Sequence, residues 1–256
     1  MRCLLAIVFA AATLTASAQK PIVGLISGLG GDSEAAFKKL HDAGFKACQT
    51  GFSLDWNQET ANKFKALSAK YDVKISALVY CTPNGRWNFQ EGPATIGLVP
   101  PINRLLYIEN YRKAIDFCVM AGIPAMHSHF GFIPEEPTSE LYVSFIETMR
   151  NLCQYAKDKG VMVFCETGQE TPTTLIRAIK DIGTGNIFVN CDTANLILYG
   201  KANPVDALDV FGKYVMEVHG KDGLYPTSGN DLGPEVKIGD GKVDFKALLS
   251  TLKALG

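Results

Sequence analysis

The stretch VMVFCETGQE, residues 161–170, decides the fold. An apolar run from Val161 to Cys165 leads straight into Glu166 and then into turn-forming residues. A strand apolar along its whole length is buried on both faces, the condition of a parallel sheet covered by helices. Yet this one ends on a carboxylate. A barrel of parallel strands reconciles the two facts, because each strand walls the barrel while its C-terminal end opens at the mouth, where chemistry is done.

The same rhythm extends in both directions. PIVGLISG (21–28) precedes the helical SEAAFKKLHDAG (33–44), with Ser33 as the expected N-cap. ACQTGF, KISALVY, AMHSHFG, IFVNCDTAN and VMEVHGKDG are further strand-like runs, each separated from the next by an amphipathic helical segment. Seven strand–helix units result, up to DFKALLSTLKALG at 244–256. A doubly wound sheet is the rival architecture, but GLISGLGGDSE lacks the G-x-G-x-x-G spacing of a dinucleotide site. The expectation is an α/β fold, a TIM (β/α)8-type barrel over residues 19–256. Its eighth strand is absent from this sequence, which stops at Gly256 where that strand should begin. Seven units alone would leave two open sheet edges, so a complete barrel that continues past Gly256 is the simplest expectation.

Residues 1–18, MRCLLAIVFAAATLTASA, read separately. Arg2, the apolar run Leu4–Leu14 and the small-x-small end at Ala16–Ala18 form a secretory signal cleaved before Gln19. The run is too short for a membrane anchor. The expected location is therefore exported and periplasmic, with no membrane association after cleavage. Six cysteines remain beyond Cys3, placed in apolar runs and helical patterns, and a core of this size needs no staples; free thiols are expected. A formal net charge of −1 with no block of like charge argues against a nucleic-acid partner. Oligomeric state is not legible.

Three late strands each end on a metal-ligand residue type: Glu166, Asp192 and His219. Two hard oxygen donors and an imidazole suit a divalent cation such as Mn²⁺, Mg²⁺ or Zn²⁺. A lone acid or histidine at a strand end is more often a cap, but three on consecutive strands are harder to dismiss. Side-chain alternation places Phe164 and Met162 inward with Glu166, and turns Cys165 and Cys191 toward the helices. The same count sets His127, Asn190 and Glu217 inward, one layer below His129, Asp192 and His219, as a shell that orients the ligands. His41 reads as a surface or boundary residue.

With these residues in view the chain resembles the xylose-isomerase-like barrel superfamily, and within it the proteins called sugar phosphate isomerases/epimerases. ETGQETP, CDTANLILYG, VHGKDG, WNFQEGPATIGLVPP and GDGKVDF carry the resemblance in order. It implies one divalent metal held by a Glu, an Asp, a His and a second Glu; the first three correspond to Glu166, Asp192 and His219, and the fourth belongs to the absent strand. It also implies two glutamates exchanging protons with the sugar, of which this sequence offers one. The ketose 3-epimerases of the family carry a substrate-binding His where this chain has Asn195. Endonuclease IV shares the barrel but needs a His-rich trinuclear zinc site, which four histidines do not favour.

The expected activity is a metal-dependent sugar isomerase or epimerase. Glu166 takes a proton next to a carbonyl, and the metal, Mn²⁺ first and otherwise Mg²⁺ or Zn²⁺, stabilises the enediolate. An exported keto-sugar lyase or hydratase on the same site is the alternative, as is a non-catalytic sugar-binding barrel. Lys221, two residues past His219, is positioned to balance enediolate charge, or to act as a base if its pKa is lowered. His129, Gln169, Asn195 and Trp87 are the expected substrate contacts. Trp87 and Phe89 lie in a loop, Cys81–Pro101, long enough to serve as a rim or lid. No phosphate cradle is visible.

Overall fold

The computed structural model describes residues 5–8, as backbone, and residues 21–255. Seven parallel strands form the wall: β2 (Ile22–Ile26), β3 (Ala47–Gly51), β4 (Lys74–Val79), β5 (Ala125–Ser128), β6 (Met162–Glu166), β7 (Ile187–Asp192) and β8 (Val215–Gly220). Between them run the helices α1 (Ser33–Asp42), α2 (Gln58–Tyr71), α4 (Pro101–Ala121), α5 (Glu140–Asp158), α6 (Pro172–Ile182) and α8 (Pro204–Phe211), with α9 (Phe245–Leu255) closing the described chain. The short helices α3 (Gly92–Thr95) and α7 (Thr193–Leu198) sit on the loops at the mouth.

The two edges that seven units would leave open are both paired. β1 (Leu5–Val8) lies antiparallel to β2 and to β8, so the circle is closed by a strand running against the other seven. An edge strand presents unpaired N–H and C=O groups, and an apolar segment that satisfies both edges removes that cost. Apart from this stretch of backbone, the expected leader and its cleavage site lie outside the described residues.

Local chemistry sets the helix ends. α1 is capped one residue earlier than expected: Asp32 accepts from the Ala35 amide at 3.0 Å, and Ser33 turns its hydroxyl to the Leu29 carbonyl at 2.8 Å. A carboxylate at the N-cap also answers the positive end of the helix dipole. α4 begins with Pro101 at its first turn and ends at Gly122, φ +68°. The rim loop is drawn tight to the wall where Leu98 and Val99 both donate to the Phe130 carbonyl, at 2.9 and 3.1 Å. At Gly97, φ +69°, an added Cβ would lie 2.0 Å from the Phe130 backbone, so only glycine permits this approach.

The barrel interior is layered. Its floor is apolar, with Ala77, Ala125 and Phe164 buried among Met162, Phe188 and Met216. Above it the interior turns polar, with Gln49, His127, Asn190 and Glu217 fully buried. Cys165 and Cys191 pack outward into the helix-facing core, and the six cysteines from Cys48 to Cys191 are free thiols. A cavity of about 640 Å³ opens at the strands' N-terminal ends among Ile22, Lys74, Pro124 and Met162, at the opposite end of the barrel from Glu166 and Asp192. No helix among the described residues is long and apolar enough to cross a membrane.

Candidate metal and sugar site

Strand register brings the polar residues together. β6 pairs with β7 so that Glu166 lies opposite Asn190, and β7 pairs with β8 so that Asp192 lies opposite His219 and Asn190 opposite Glu217. The pairing of β7 and β8 shifts between Val189 and Asn190, and that of β3 and β4 between Cys48 and Gln49. Irregularities of this kind re-aim side chains, and both occur beside an inward polar residue.

Glu166 is the hub. Its Oε2 lies 2.9 Å from His127 Nε2 and 2.8 Å from His129 Nε2; its Oε1 lies 3.1 Å from His219 Nδ1 and accepts from Asn195 Nδ2 at 3.2 Å. Burial pushes this carboxyl up, but the three imidazoles of His129, His219 and His127 outweigh it and hold the group well below the usual carboxylate range. His219 responds in the opposite sense. Burial lowers it, while the carboxylates of Glu166 and Asp192 raise it to about 10. Burial is the larger influence on His127, which falls below its ordinary value. Its Nδ1 is buried with no partner, and the Asn190 amide lies 3.1 Å from its Nε2.

Asp192 joins from the next strand. Its Oδ1 accepts from the Asn195 amide at 2.8 Å, capping α7, a helix not foreseen from the sequence. Its Oδ2 lies 3.7 Å from His219 Nδ1 and 2.9 Å from the Lys221 ammonium, an ion pair without an aligned hydrogen bond. Burial lowers the Lys221 pKa, but Asp192 and Glu166 outweigh it and hold the ammonium above its ordinary range. That environment keeps the Lys221 side chain protonated.

The donor set fits a divalent cation. His127, Glu166 and His219 each present a ligand atom within 4.8 Å of the others, and Asp192 Oδ2 keeps a lone pair free of aligned hydrogen bonds. His127 therefore stands against Glu166 itself, within the same cluster, and closer to the ligand atoms than a shell one layer below would be. Asn190 and Glu217 lie beneath, as the alternation implied.

The expected sugar contacts line one side of the mouth. The Gln169 amide nitrogen donates to His129 Nδ1 at 3.2 Å and to the Tyr199 hydroxyl at 3.0 Å. Asn195 Oδ1 accepts from Lys221 at 3.4 Å. The Trp87 ring meets His129 edge-on with centroids 4.8 Å apart, and is 48% exposed. Phe89 and Phe132 stand against the Tyr199 ring at 6.0 and 5.8 Å. The Phe89 amide donates to the Asn230 carbonyl at 3.0 Å, and Gln90 Nε2 to Asn230 Oδ1 at 2.9 Å, so the two long loops clasp each other over the mouth.

Three residues escaped sequence reasoning. Gln49 bridges His219 and Glu217; the alternation in ACQTG places it inward, but a neutral amide carries no charge signal. Tyr199 supports Gln169. Glu170 is buried beside the site with Oε1 unpartnered, and burial raises its carboxyl to about 8, opposed in part by the charge of Lys201. Such an acid stays neutral in the fold while the unfolded chain ionises, so stability falls as pH rises from about 4.5 toward 8. In Glu170→Gln that loss is absent. Thermal unfolding at both pH values should show the variant gaining on wild type by about 2–4 kcal/mol across the window.

Comparison with known proteins bears on the geometry above. A family model described as xylose isomerase-like TIM barrel matches residues 37–256. A xylose isomerase domain protein from Planctomyces limnophilus is 30% identical, with a TM-score of 0.82 over 86% of this chain and 82% of that one. An L-ribulose 3-epimerase is 18% identical, TM-score 0.69, over 90% and 74%. A xylose isomerase-like barrel from Mycobacterium smegmatis in complex with magnesium is 16% identical, TM-score 0.63, over 87% and 78%. The last two show likeness of fold. No curated protein matches the sequence.

Proposed function

We propose, since this chain belongs to the xylose isomerase-like TIM barrel family, that it is a divalent-metal-dependent isomerase or epimerase of a small sugar. One observation carries the reading: His219 Nδ1 stands 3.1 Å from Glu166 Oε1 and 3.7 Å from Asp192 Oδ2, so three ligand types from three strands meet at one point. Glu166, Asp192 and His219 would hold the cation, with His127 adjoining. A cation held there supplies Lewis acidity toward neighbouring oxygens of a hydroxy-ketone or hydroxy-aldehyde.

The chain's own residues do the rest. Glu166, ionised and aimed into the mouth, is the group that takes the proton beside the carbonyl. Lys221, kept protonated, offsets negative charge that develops on substrate oxygen. His129 and Gln169 stand where sugar hydroxyls would be bound, and Asn195 orients both Glu166 and Lys221. The aromatic rings of Trp87 and Phe89 give the sugar an apolar face and exclude water. Trp87→Ala should raise KM about three- to tenfold with kcat nearly unchanged, as measured by steady-state kinetics, because a stacking contact binds ground and transition states alike.

The test is the metal content of protein purified from its native source, beside Asp192→Ala. One equivalent of Mn²⁺, Mg²⁺ or Zn²⁺ in the wild type, lost in the variant, is expected, followed by deuterium incorporation into a ketose in heavy water. Protein that holds no metal and takes none up on reconstitution would leave a sugar-binding barrel. We further infer export to the periplasm from the leader expected at residues 1–18, whose cleavage before Gln19 would take Leu5–Val8 out of its place between β2 and β8; fractionation and N-terminal sequencing of the native protein check both.

A further inference from the structure

We infer that Gln49 is a positioning residue that holds the His219 imidazole with its proton on Nε2, so that Nδ1 is the atom presented to the cation. This rests on the metal-centre reading above.

Gln49 is fully buried in β3, at the point where pairing with β4 shifts register. Its Oε1 lies 2.8 Å from His219 Nε2, while its Nε2 donates to the Glu217 carboxylate. An amide oxygen only accepts, so the partner nitrogen of His219 must carry a proton. The amide cannot simply turn over, because its other end faces a carboxylate that accepts in its turn. Glu217 is itself fixed from across the barrel, where Ser76 Oγ donates to its Oε1 at 2.9 Å. A chain therefore runs from Ser76 through Glu217 and Gln49 to His219, and each link sets the direction of the next.

The consequence falls on Nδ1. With the Nε2 proton held by Gln49, Nδ1 is the nitrogen left to give up its proton to a cation, and it is the one that faces Glu166 and Asp192. Without Gln49 the proton is free to sit on either nitrogen and the ring is free to tilt. Partners of this kind govern metal affinity by about 10- to 100-fold.

The experiment uses full-chain protein at pH 8.5 with ¹⁵N-labelled histidine. In the wild type loaded with Zn²⁺, which takes the place of the proton at Nδ1, NMR should show a His219 Nε2–H proton protected from exchange; in Gln49→Met, an acceptor-free replacement of similar shape, that protection is lost. Competition with a chromogenic chelator should show Mn²⁺ and Zn²⁺ affinity reduced about 10- to 100-fold in Gln49→Met. Glu217→Gln, which removes the carboxylate that orients the amide, should weaken binding to a smaller extent, and it carries the test alone if Gln49→Met does not fold. Unchanged affinity in the folded variants, or a proton equally protected in Gln49→Met, overturns this inference while leaving the metal centre intact. A wild type that binds no cation overturns the metal-centre reading and this one with it.

Discussion

Glu166→Gln will lose turnover by about two to four orders of magnitude, the range spanned by a positioned proton-transfer group, and it will lose bound metal as well. Both losses come from one atom pair. The variant keeps the shape of the side chain and its contacts with Asn195, but it replaces an anion that three imidazoles face, at 2.8, 2.9 and 3.1 Å. A neutral amide can accept from those rings through one oxygen only and meets at least one of them with a second donor. On the function proposed above, a bound cation would lose a hard oxygen ligand and the substrate would lose its base. Elemental analysis and a deuterium-exchange assay on the same preparation separate the effects: metal retained with exchange abolished would restrict Glu166 to proton transfer.

Asp222→Ala will cost about 3–5 kcal/mol of stability, equivalent to roughly 10 °C in Tm for a chain of this size. Asp222 never meets the substrate side of the site. Its carboxylate is almost fully buried and accepts four backbone N–H groups: Gly223 at 2.9 Å and Val243 at 3.1 Å on one oxygen, Gly239 at 3.0 Å and Gly241 at 2.9 Å on the other. Alanine leaves the buried Gly223 and Val243 donors without an acceptor and releases the more open Gly239 and Gly241 donors from the loop's shared anchor, and unsatisfied buried donors are what make such substitutions severe. Gly241 has no alternative residue here, since an added Cβ would lie 2.0 Å from Asp222 Oδ1. Calorimetric unfolding checks the magnitude; a shift of only 1–2 °C would mean that water reaches the loop.

Much of this architecture is legible in single strands. The run ending at Glu166 implied burial on both faces, and the two-residue alternation placed Met162 and Phe164 inside and Cys165 outside, where the interior floor and the helix-facing core hold them. The candidate ligands were legible for the same reason: a charged residue at the end of an apolar strand is conspicuous. Gln49 was not. Its partners are 168 and 170 residues away in sequence, and no local pattern connects an amide in ACQTG to an imidazole in VMEVHG. Glu170 misleads in the other direction, because an acid in a turn reads as solvated. α7 is hidden because TANLIL is too short for a periodic signal and forms under the cap that Asp192 provides. The antiparallel pairing of Leu5–Val8 is invisible to patterning, since an apolar run of that kind reads as a leader.

The clasp between Phe89, Gln90 and Asn230 has a bearing on what can enter. Those loops leave β4 and β8, which stand opposite each other in the circle of strands. Joined, they make a strap across the opening rather than a fringe around it. A polymer threaded over the barrel would have to pass through that strap. A monosaccharide, or the free end of a short chain, can be taken in beneath it. On the function proposed above, such a strap favours a small sugar over an internal residue of a long polysaccharide, before any hydroxyl is recognised.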